Sequence, residues 1–364
     1  MTILHVADWA NGGLATYLQT LIACQSQEHR VYLLASRHNS EERIAALDGF
    51  ISLDPYRRSL QGMWHAFWVT RRSIQTLRPD ILHVHSSFAG IFARLAAIRL
   101  SPRPKIIYCS HGWSFLMDTG RIKTTMYASV EWLFSLLCDA VVTISKREHS
   151  AALNIGIAAE KLYLIEHGIA VAQEQMRPHR FEHTFKKNQY NILFLGRYDY
   201  AKGFDWLMDF IVRYPQKHIC WHCAGKAVID DVVDIPNGVV NHGWVSHEEV
   251  PQLLLRCDAL IVPSRWEGFG LSVIEAMKYA KPVIASTGGA LCELVEHHNN
   301  GWIFQMENEE SLVEILQHLE ASTLKIYGEK GHDIFMRHYS SKTMNKKLQQ
   351  LINDLTEENG IICA

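Results

Sequence analysis

Two glutamates, Glu267 and Glu275, bracket the stretch Glu-Gly-Phe-Gly-Leu-Ser-Val-Ile-Glu. An apolar run, Ala259 to Val262, precedes it and reads as a buried strand; an apolar-periodic helix, Ser272 to Ala280, follows. Strand, glycine loop and helix start together present unpaired backbone N–H groups and a positive helix end to an anion. Acidic side chains repel phosphate, so these carboxylates must serve another part of the ligand. Carboxylates accept hydrogen bonds in pairs, which suits sugar or ribose hydroxyls. A phosphate loop beside acids for hydroxyls suggests a nucleotide-sugar. A second reading stays open for Glu275: Ser272-x-x-Glu275 is a capping-box pattern, in which the glutamate satisfies backbone donors at a helix start.

Upstream, Gly196-Arg-Tyr-Asp-Tyr-Ala-Lys-Gly203 lies between a strand and the helix beginning at Phe204. Arg197 offers a planar fork for phosphate oxygens and Lys202 a compact point charge. Two cations on one glycine loop can hold a diphosphate and stabilise it as a leaving group without metal. Alone, the segment is an ordinary turn with solvated charges; with the Glu267–Glu275 stretch downstream, phosphate binding is the better reading.

The elements that must position these loops follow from periodicity. Strands are expected near 2–7, 31–35, 81–85, 105–110, 139–144 and 162–166, with helical patterns such as 13–25, 62–77 and 124–138 between them. A second series has strands near 191–195, 218–223, 238–241, 258–262, 282–286 and 302–304, and helices near 203–213, 247–255, 271–280 and 309–320. Short β-branched runs between longer amphipathic ones imply parallel sheets covered on both faces, an α/β architecture of two doubly wound, Rossmann-like domains. The expected boundaries are 1–172, a polar linker at 173–189, 190–340, and a C-terminal helix within 341–364 that packs back on the first domain. Such domains take ligands at the carboxyl ends of their strands, in a central cleft. Gly12-Gly13, His111-Gly112, Arg197 and Glu267 each fall just after an expected strand.

These segments resemble the retaining nucleotide-sugar glycosyltransferases of family 4, with the GT-B fold. The resemblance rests on Gly12-Gly13, Ser110-His111-Gly112, Gly196-Arg197 with Lys202-Gly203, Glu267-Gly-Phe-Gly-Leu271 with Glu275, the continuation to Ala285, Gly288-Gly289 and Asn300-Gly301. It is specific over about residues 190–305. One departure is Glu166-His167-Gly168, where the family more often has asparagine before the glycine. The resemblance implies that Glu275 holds ribose hydroxyls and Glu267 the donor sugar. Backbone amides of Gly268, Phe269, Gly270 and Leu271 would hold sugar hydroxyls and the distal phosphate, Arg197 and Lys202 the diphosphate, and His111 the anomeric region. The Gly12-Gly13 loop would close on phosphate and acceptor, and the backbone at Gly243 to Val245 would meet the base. Catalysis would rest on His111, Glu267, Arg197 and Lys202. It also implies transfer of a hexose or N-acetylhexosamine, UDP-linked by preference, to a saccharide acceptor in bacterial surface polysaccharide synthesis. Alternatives are a noncatalytic nucleotide-sugar-binding paralogue and a GDP-mannose-dependent mannosyltransferase. A dinucleotide oxidoreductase is disfavoured, because no Gly-x-Gly-x-x-Gly follows the first strand.

The composition agrees with a folded globular protein. The chain has 364 residues with 48% hydrophobic and 20% charged residues, as in folded globular proteins, and its net charge of −2 gives no basic field for nucleic acid. The eight cysteines are scattered and no secretory signal precedes the first strand, so reduced thiols and a cytoplasmic location are expected. Cys220-Trp-His-Cys223 has zinc or redox spacing but lies in a strand without a second pair. His83 and His85 share a strand face; without a third ligand of obvious spacing, packing or cleft lining outranks metal. No cofactor and no metal are expected, and no Asp-x-Asp motif occurs in a plausible donor loop. Arg57-Arg58 and Arg71-Arg72 flank Leu60, Met63, Trp64, Phe67 and Trp68. That pattern suits either a core face or the surface of the inner membrane, with a lipid-linked acceptor. Trp113, Phe115, Leu116 and Met117 are read as a second apolar loop.

Overall fold

The computed structural model describes residues 1–38, 40, 44–171, 180–227 and 234–357. It divides into two units, Met1–Ala170 with Ser341–Ala364, and Val171–Ser340. The first part of the expected linker, 173–179, lies outside the described residues; the remainder carries one short 3-10 turn, Glu182–Thr184.

Unit 1 contains β1 Thr2–Ala7, α1 Gly12–Gln25, β2 Arg30–Ala35, β3 Gly49–Ser52, α2 Leu60–Leu77, β4 Ile81–His85, α3 Ser87–Ala96, β5 Lys105–Cys109, α4 Arg121–Ser135, β6 Ala140–Thr143, α5 Lys146–Asn154 and β7 Leu162–Leu164. The sheet is parallel throughout, in the order β3-β2-β1-β4-β5-β6-β7. Strand order reverses at β1 and β4, where Leu4 and Val6 join Leu82, Val84 and Phe92 in the core on one sheet face. Because side chains alternate along a strand, His5, His83 and His85 face the other way, toward α1.

Unit 2 contains β8 Tyr190–Leu195, α6 Phe204–Arg213, β9 Ile219–Ala224, β10 Val240–Asn241, α7 Val250–Arg256, β11 Ala259–Val262, α8 Leu271–Lys278, β12 Val283–Ser286, α9 Leu291–Leu294, β13 Gly301–Phe304, α10 Glu310–Gln317 and α11 Ala321–His338. Its parallel sheet runs β10-β9-β8-β11-β12-β13 and reverses at β8 and β11. Phe194, Phe204, Phe210, Ile261 and Phe304 form its core. Both charged loops therefore leave the carboxyl ends of the two strands flanking this switch point, where open α/β sheets take their ligands.

The last helix, α12 Ser341–Glu357, belongs to unit 1 and packs on α1. Its apolar stripe of Met344, Leu348, Leu351, Ile352 and Leu355 is buried. Three contacts fasten it to the segment after β7: the Ser341 N–H donates to the Ile169 carbonyl at 2.8 Å, the Gly168 N–H to the Met344 sulfur at 3.2 Å, and Lys347 to Glu166 at 2.8 Å.

The pattern gave no strand at β3, a short edge strand lacking a buried face, and no helix at α11. At α11 the helix approaches its neighbours through glycine rather than through an apolar stripe: a Cβ on Gly328 would lie 2.0 Å from the Ala280 carbonyl oxygen. Cys220 and Cys223, three residues apart on β9, point to opposite faces, which excludes their joint coordination of one ion.

Candidate functional site

In unit 2 the loop after β8 and the loop after β11 are locked together at backbone level. Gly203 has φ +65°, and a Cβ there would lie 1.9 Å from the Pro263 carbonyl oxygen. Gly289 adopts φ +68° with its Cα against Glu267, where a Cβ would lie 2.1 Å from the Glu267 carbonyl oxygen. Only glycine permits both the conformation and the approach. Arg265, which sequence reasoning missed, completes the clamp. It forks onto Asp205 at 2.6 and 2.8 Å, donates to the Tyr200 carbonyl at 2.7 Å, and stacks over the Tyr200 ring at 3.8 Å. Its signal was an arginine two residues before Glu267, with nothing to mark its partner sixty residues upstream.

This frame brings Lys202 and Glu267 together: Nζ lies 2.5 Å from Oε2, with Ser264 Oγ donating to the same oxygen at 3.4 Å. The pair is partly shielded, with side chains 23% and 14% exposed, so water weakens it less than a surface pair. The cation assigned to phosphate and the carboxylate assigned to sugar are thus adjacent, and a ligand that engages one must redistribute the other's hydrogen bonds. Arg197 stands apart: its Nε meets Asp199 at 3.0 Å, and the side chain is half exposed. Asp199 Oδ1 in turn accepts the Lys202 backbone N–H at 2.9 Å, shaping the turn.

The capping-box reading of Glu275 fails. Gly270, at φ +109°, is the N-cap of α8, and Ser272 is the second residue inside the helix. Glu275 therefore lies in the second turn, beyond reach of the N-cap amide that a capping box pairs. With no side-chain cap and no acid in its first turn, the α8 start keeps its positive end toward the loop of Gly268 and Phe269. Val245 follows β10 with its side chain buried.

In unit 1, His111 follows β5 in the left-handed region, φ +56°. Its Nε2 lies 2.9 Å from His85 Nδ1, and its Nδ1 lies 3.1 Å from His167 Nε2. The chain continues inward: His85 Nε2 meets His5 Nδ1 at 3.0 Å, and His5 Nε2 meets Gln25 Oε1 at 2.8 Å. Tyr17 lies 4.6 Å, ring to ring, from both His111 and His167, so α1, which opens at Gly12-Gly13, is keyed to the histidine loop. Burial holds these imidazoles below the ordinary histidine range: His5 at about 4, His167 at about 3, and His83, His85 and His111 well below it. All are neutral at pH 7. Both ring nitrogens of His111 are engaged within the cluster, a constraint that the sequence did not reveal. His167, at the position where the sequence departs from the family's usual asparagine, supplies one of those partners.

A second missed group sits beside it. Asp8, almost fully buried, bonds Arg58 Nε at 2.8 Å and accepts from Ser86 Oγ at 2.6 Å, while Arg58 stacks over Trp9 at 3.7 Å. Arg58 is thus tied to the end of β1 rather than offered as a basic flank. Arg71 caps the Ala96 and Ile98 carbonyls at 2.9 and 3.0 Å. Trp113 and Phe115 are buried, leaving Met117 as the exposed part of that loop. The aromatic stripe of α2 divides: Leu60, Trp64 and Trp68 are exposed, whereas Phe67 is half-buried and packs against the unit 1 core.

Two family models divide the sequence, Glycosyltransferase Family 4 over residues 11–173 and Glycosyl transferases group 1 over residues 175–334. The chain belongs to glycosyltransferase family 4. This family-4 glycosyltransferase is 30% identical over 337 residues to an uncharacterized 41.2 kDa protein in the cps region of Klebsiella pneumoniae, covering 91% of this chain and 92% of that one. It is 27% identical to the O-antigen biosynthesis glycosyltransferase WbnH of Escherichia coli, over 82% of this chain and 83% of that protein. In fold it is similar to Anabaena HepE in complex with UDP and glucose, with TM-score 0.80, 18% identity, and coverage of 97% and 99% of the two chains. The family-4 chain thus has the GT-B fold of two Rossmann-like domains.

Proposed function

We propose that this glycosyltransferase moves a hexose or N-acetylhexosamine from a UDP-sugar to a saccharide hydroxyl, with retention of anomeric configuration, during synthesis of a bacterial surface polysaccharide. The observation that carries this reading is the Lys202–Glu267 pair at the switch point of unit 2, beside an uncapped helix start. Lys202, Arg197 and the α8 amides bind the diphosphate and stabilise the charge that grows on it as the glycosidic bond breaks. Glu267 and Glu275 take sugar and ribose hydroxyls. The departing phosphate oxygen accepts the acceptor's proton on the face that the new bond joins, so no side-chain nucleophile is needed. With two cations and a helix dipole on the leaving group, transfer requires no divalent ion there. The WbnH and HepE likenesses support the polysaccharide role and the choice of UDP respectively.

A thermal-shift panel of UDP-, GDP- and ADP-sugars, followed by transfer assays with the best donor, tests this directly. A UDP-sugar should give the largest shift and a product of retained configuration. A larger shift with GDP-mannose would replace the donor, and donor binding without transfer to any saccharide would favour the noncatalytic reading.

The acceptor is proposed to be lipid-linked and met at the inner membrane surface. Among the described residues no helix is long and apolar enough to cross a membrane. The supporting observation is that α2 exposes Leu60, Trp64 and Trp68, and α4 exposes Ile122, Met126 and Leu133. Salt-sensitive co-sedimentation with anionic liposomes, weakened in Trp64→Ser, is the expected result; no binding at low salt would remove the membrane from the proposal.

A further inference from the structure

The face of unit 1 that carries α1 buries three imidazoles whose positions are set by strand pairing. His5 and His83 are register partners on β1 and β4, and His85 follows His83 on the same face. All three are fully buried, and one ring nitrogen from each lies within 4.8 Å of the others. The hydrogen-bond chain running through His5 and His85 bypasses His83, whose Nδ1 and Nε2 are both buried with no hydrogen-bond partner among the described residues. A buried imidazole with neither nitrogen bonded is costly, because it keeps the full desolvation penalty.

We propose that His5, His83 and His85 bind a divalent transition-metal ion, zinc by preference, as a structural centre in the core of unit 1. Three neutral imidazole nitrogens are a zinc-type donor set. His5 Nδ1 and His85 Nε2 lie 3.0 Å apart, and nitrogens on one tetrahedral zinc lie roughly 3.3 Å apart, so a few tenths of an ångström convert their hydrogen bond into two coordinate bonds. The orphaned His83 supplies the third nitrogen.

The outer partners fit as well. Metal-bound histidines donate their remaining N–H to an oriented acceptor. With its Nδ1 on the ion, His5 donates Nε2–H to Gln25 Oε1, at 2.8 Å. With its Nε2 on the ion, His85 donates Nδ1–H to His111 Nε2, at 2.9 Å. The ion would therefore fix the direction of the whole histidine chain, leaving His111 to donate from Nδ1 to His167 Nε2, at 3.1 Å. This centre lies behind His111 and takes no part in the leaving-group chemistry assigned to unit 2.

The test uses the untagged full-length protein, expressed with zinc and purified without chelator, with metal measured by plasma mass spectrometry. About one zinc per chain is expected in the wild type, and less than about a tenth of that in His83→Leu. Refolding from denaturant with cobalt(II) should give a visible ligand-field spectrum absent from the variant. The unfolding midpoint separates the site from simple packing. If the triad binds zinc, His83→Leu lowers Tm and removes its dependence on zinc. If it does not, the same change deletes an unsatisfied polar group and leaves Tm equal or higher. Should His83→Leu fail to fold, Gln25→Ala reads the outer shell, with a 10- to 100-fold loss of zinc affinity. Wild-type protein without metal after both expression and refolding, or zinc retained at full stoichiometry by His83→Leu, overturns the proposal.

Discussion

At the switch point of unit 2 the side chains carry formal charge, sit on glycine-bent loops and stay within reach of water; at that of unit 1 five imidazoles are withdrawn from water and held neutral. Both are clusters of polar groups at the same place in a parallel sheet, yet they answer to different physics. Lys202 and Glu267 are partly shielded but keep some contact with water, so each can exchange the other for a ligand. His5, His85, His111 and His167 can be tolerated only as a bonded set, because each nitrogen left bare in the interior is expensive. The first arrangement suits binding and release; the second suits holding a backbone in one shape.

The sharpest way to break this contrast is to remove charge from unit 2. Lys202→Ala should lower kcat/KM for transfer by about 10²- to 10³-fold, as expected for loss of a donor aimed at developing charge. Its unfolding midpoint should barely move. A variant that unfolds readily but transfers normally once folded would show that the pair is structural and erase the difference between the two clusters.

Acid should act mainly on unit 1. A histidine near 6.5 in the unfolded chain takes up a proton that the folded one, at about 4 for His5 and about 3 for His167, refuses. Stability is therefore complete above pH 6.5 and falls as pH drops toward those values, by about 1.4 kcal/mol per pH unit for each such group. Unit 2 has His222, held at about 3 by burial, and His242, lowered by burial. Hydrogen exchange should show β1 and β4 losing protection at higher pH than β8 and β11; simultaneous loss would contradict the comparison.

His111→Asn sharpens it further. Asparagine adopts the left-handed conformation readily, so the change mainly deletes the two imidazole hydrogen bonds. A loss of about 1–3 kcal/mol in stability is expected by chemical denaturation. Unchanged stability with lost turnover would instead assign the ring to the substrate. The smallest effect should come from Glu275→Gln: a raised donor KM with stability changed by less than about 0.5 kcal/mol, measured on the same denaturation curves.

How much of this could be read beforehand follows from where the information lies. The charged loops are local in sequence, glycines and charges within eight or nine residues, and both appeared where strand–loop–helix punctuation placed them. The alternation of His83 and His85 was equally legible. What could not be read was that His5 lies opposite His83, because that depends on β1 and β4 being neighbours although the two histidines are 78 positions apart. The same holds for Arg265 with Asp205 and for Asp8 with Arg58. The ambiguity over Ser272 has another origin. A serine three residues before a glutamate looks like a cap from either position, and only the φ of Gly270 shows that the helix has already begun.

Because α12 completes unit 1 from the far end of the polypeptide, the order of synthesis bears on the order of folding. Every strand of unit 2 is synthesised before Met344 and Leu348, so that sheet can close while the α1 face of unit 1 still lacks its cover. The segment Glu166–Ile169, which bears His167, has to wait for Ser341, Met344 and Lys347 to arrive before its own anchors exist. The histidine loop thus gains its anchors last, and a nascent chain that stops short of residue 341 leaves the α1 face that α12 covers exposed, the kind of surface that chaperones bind.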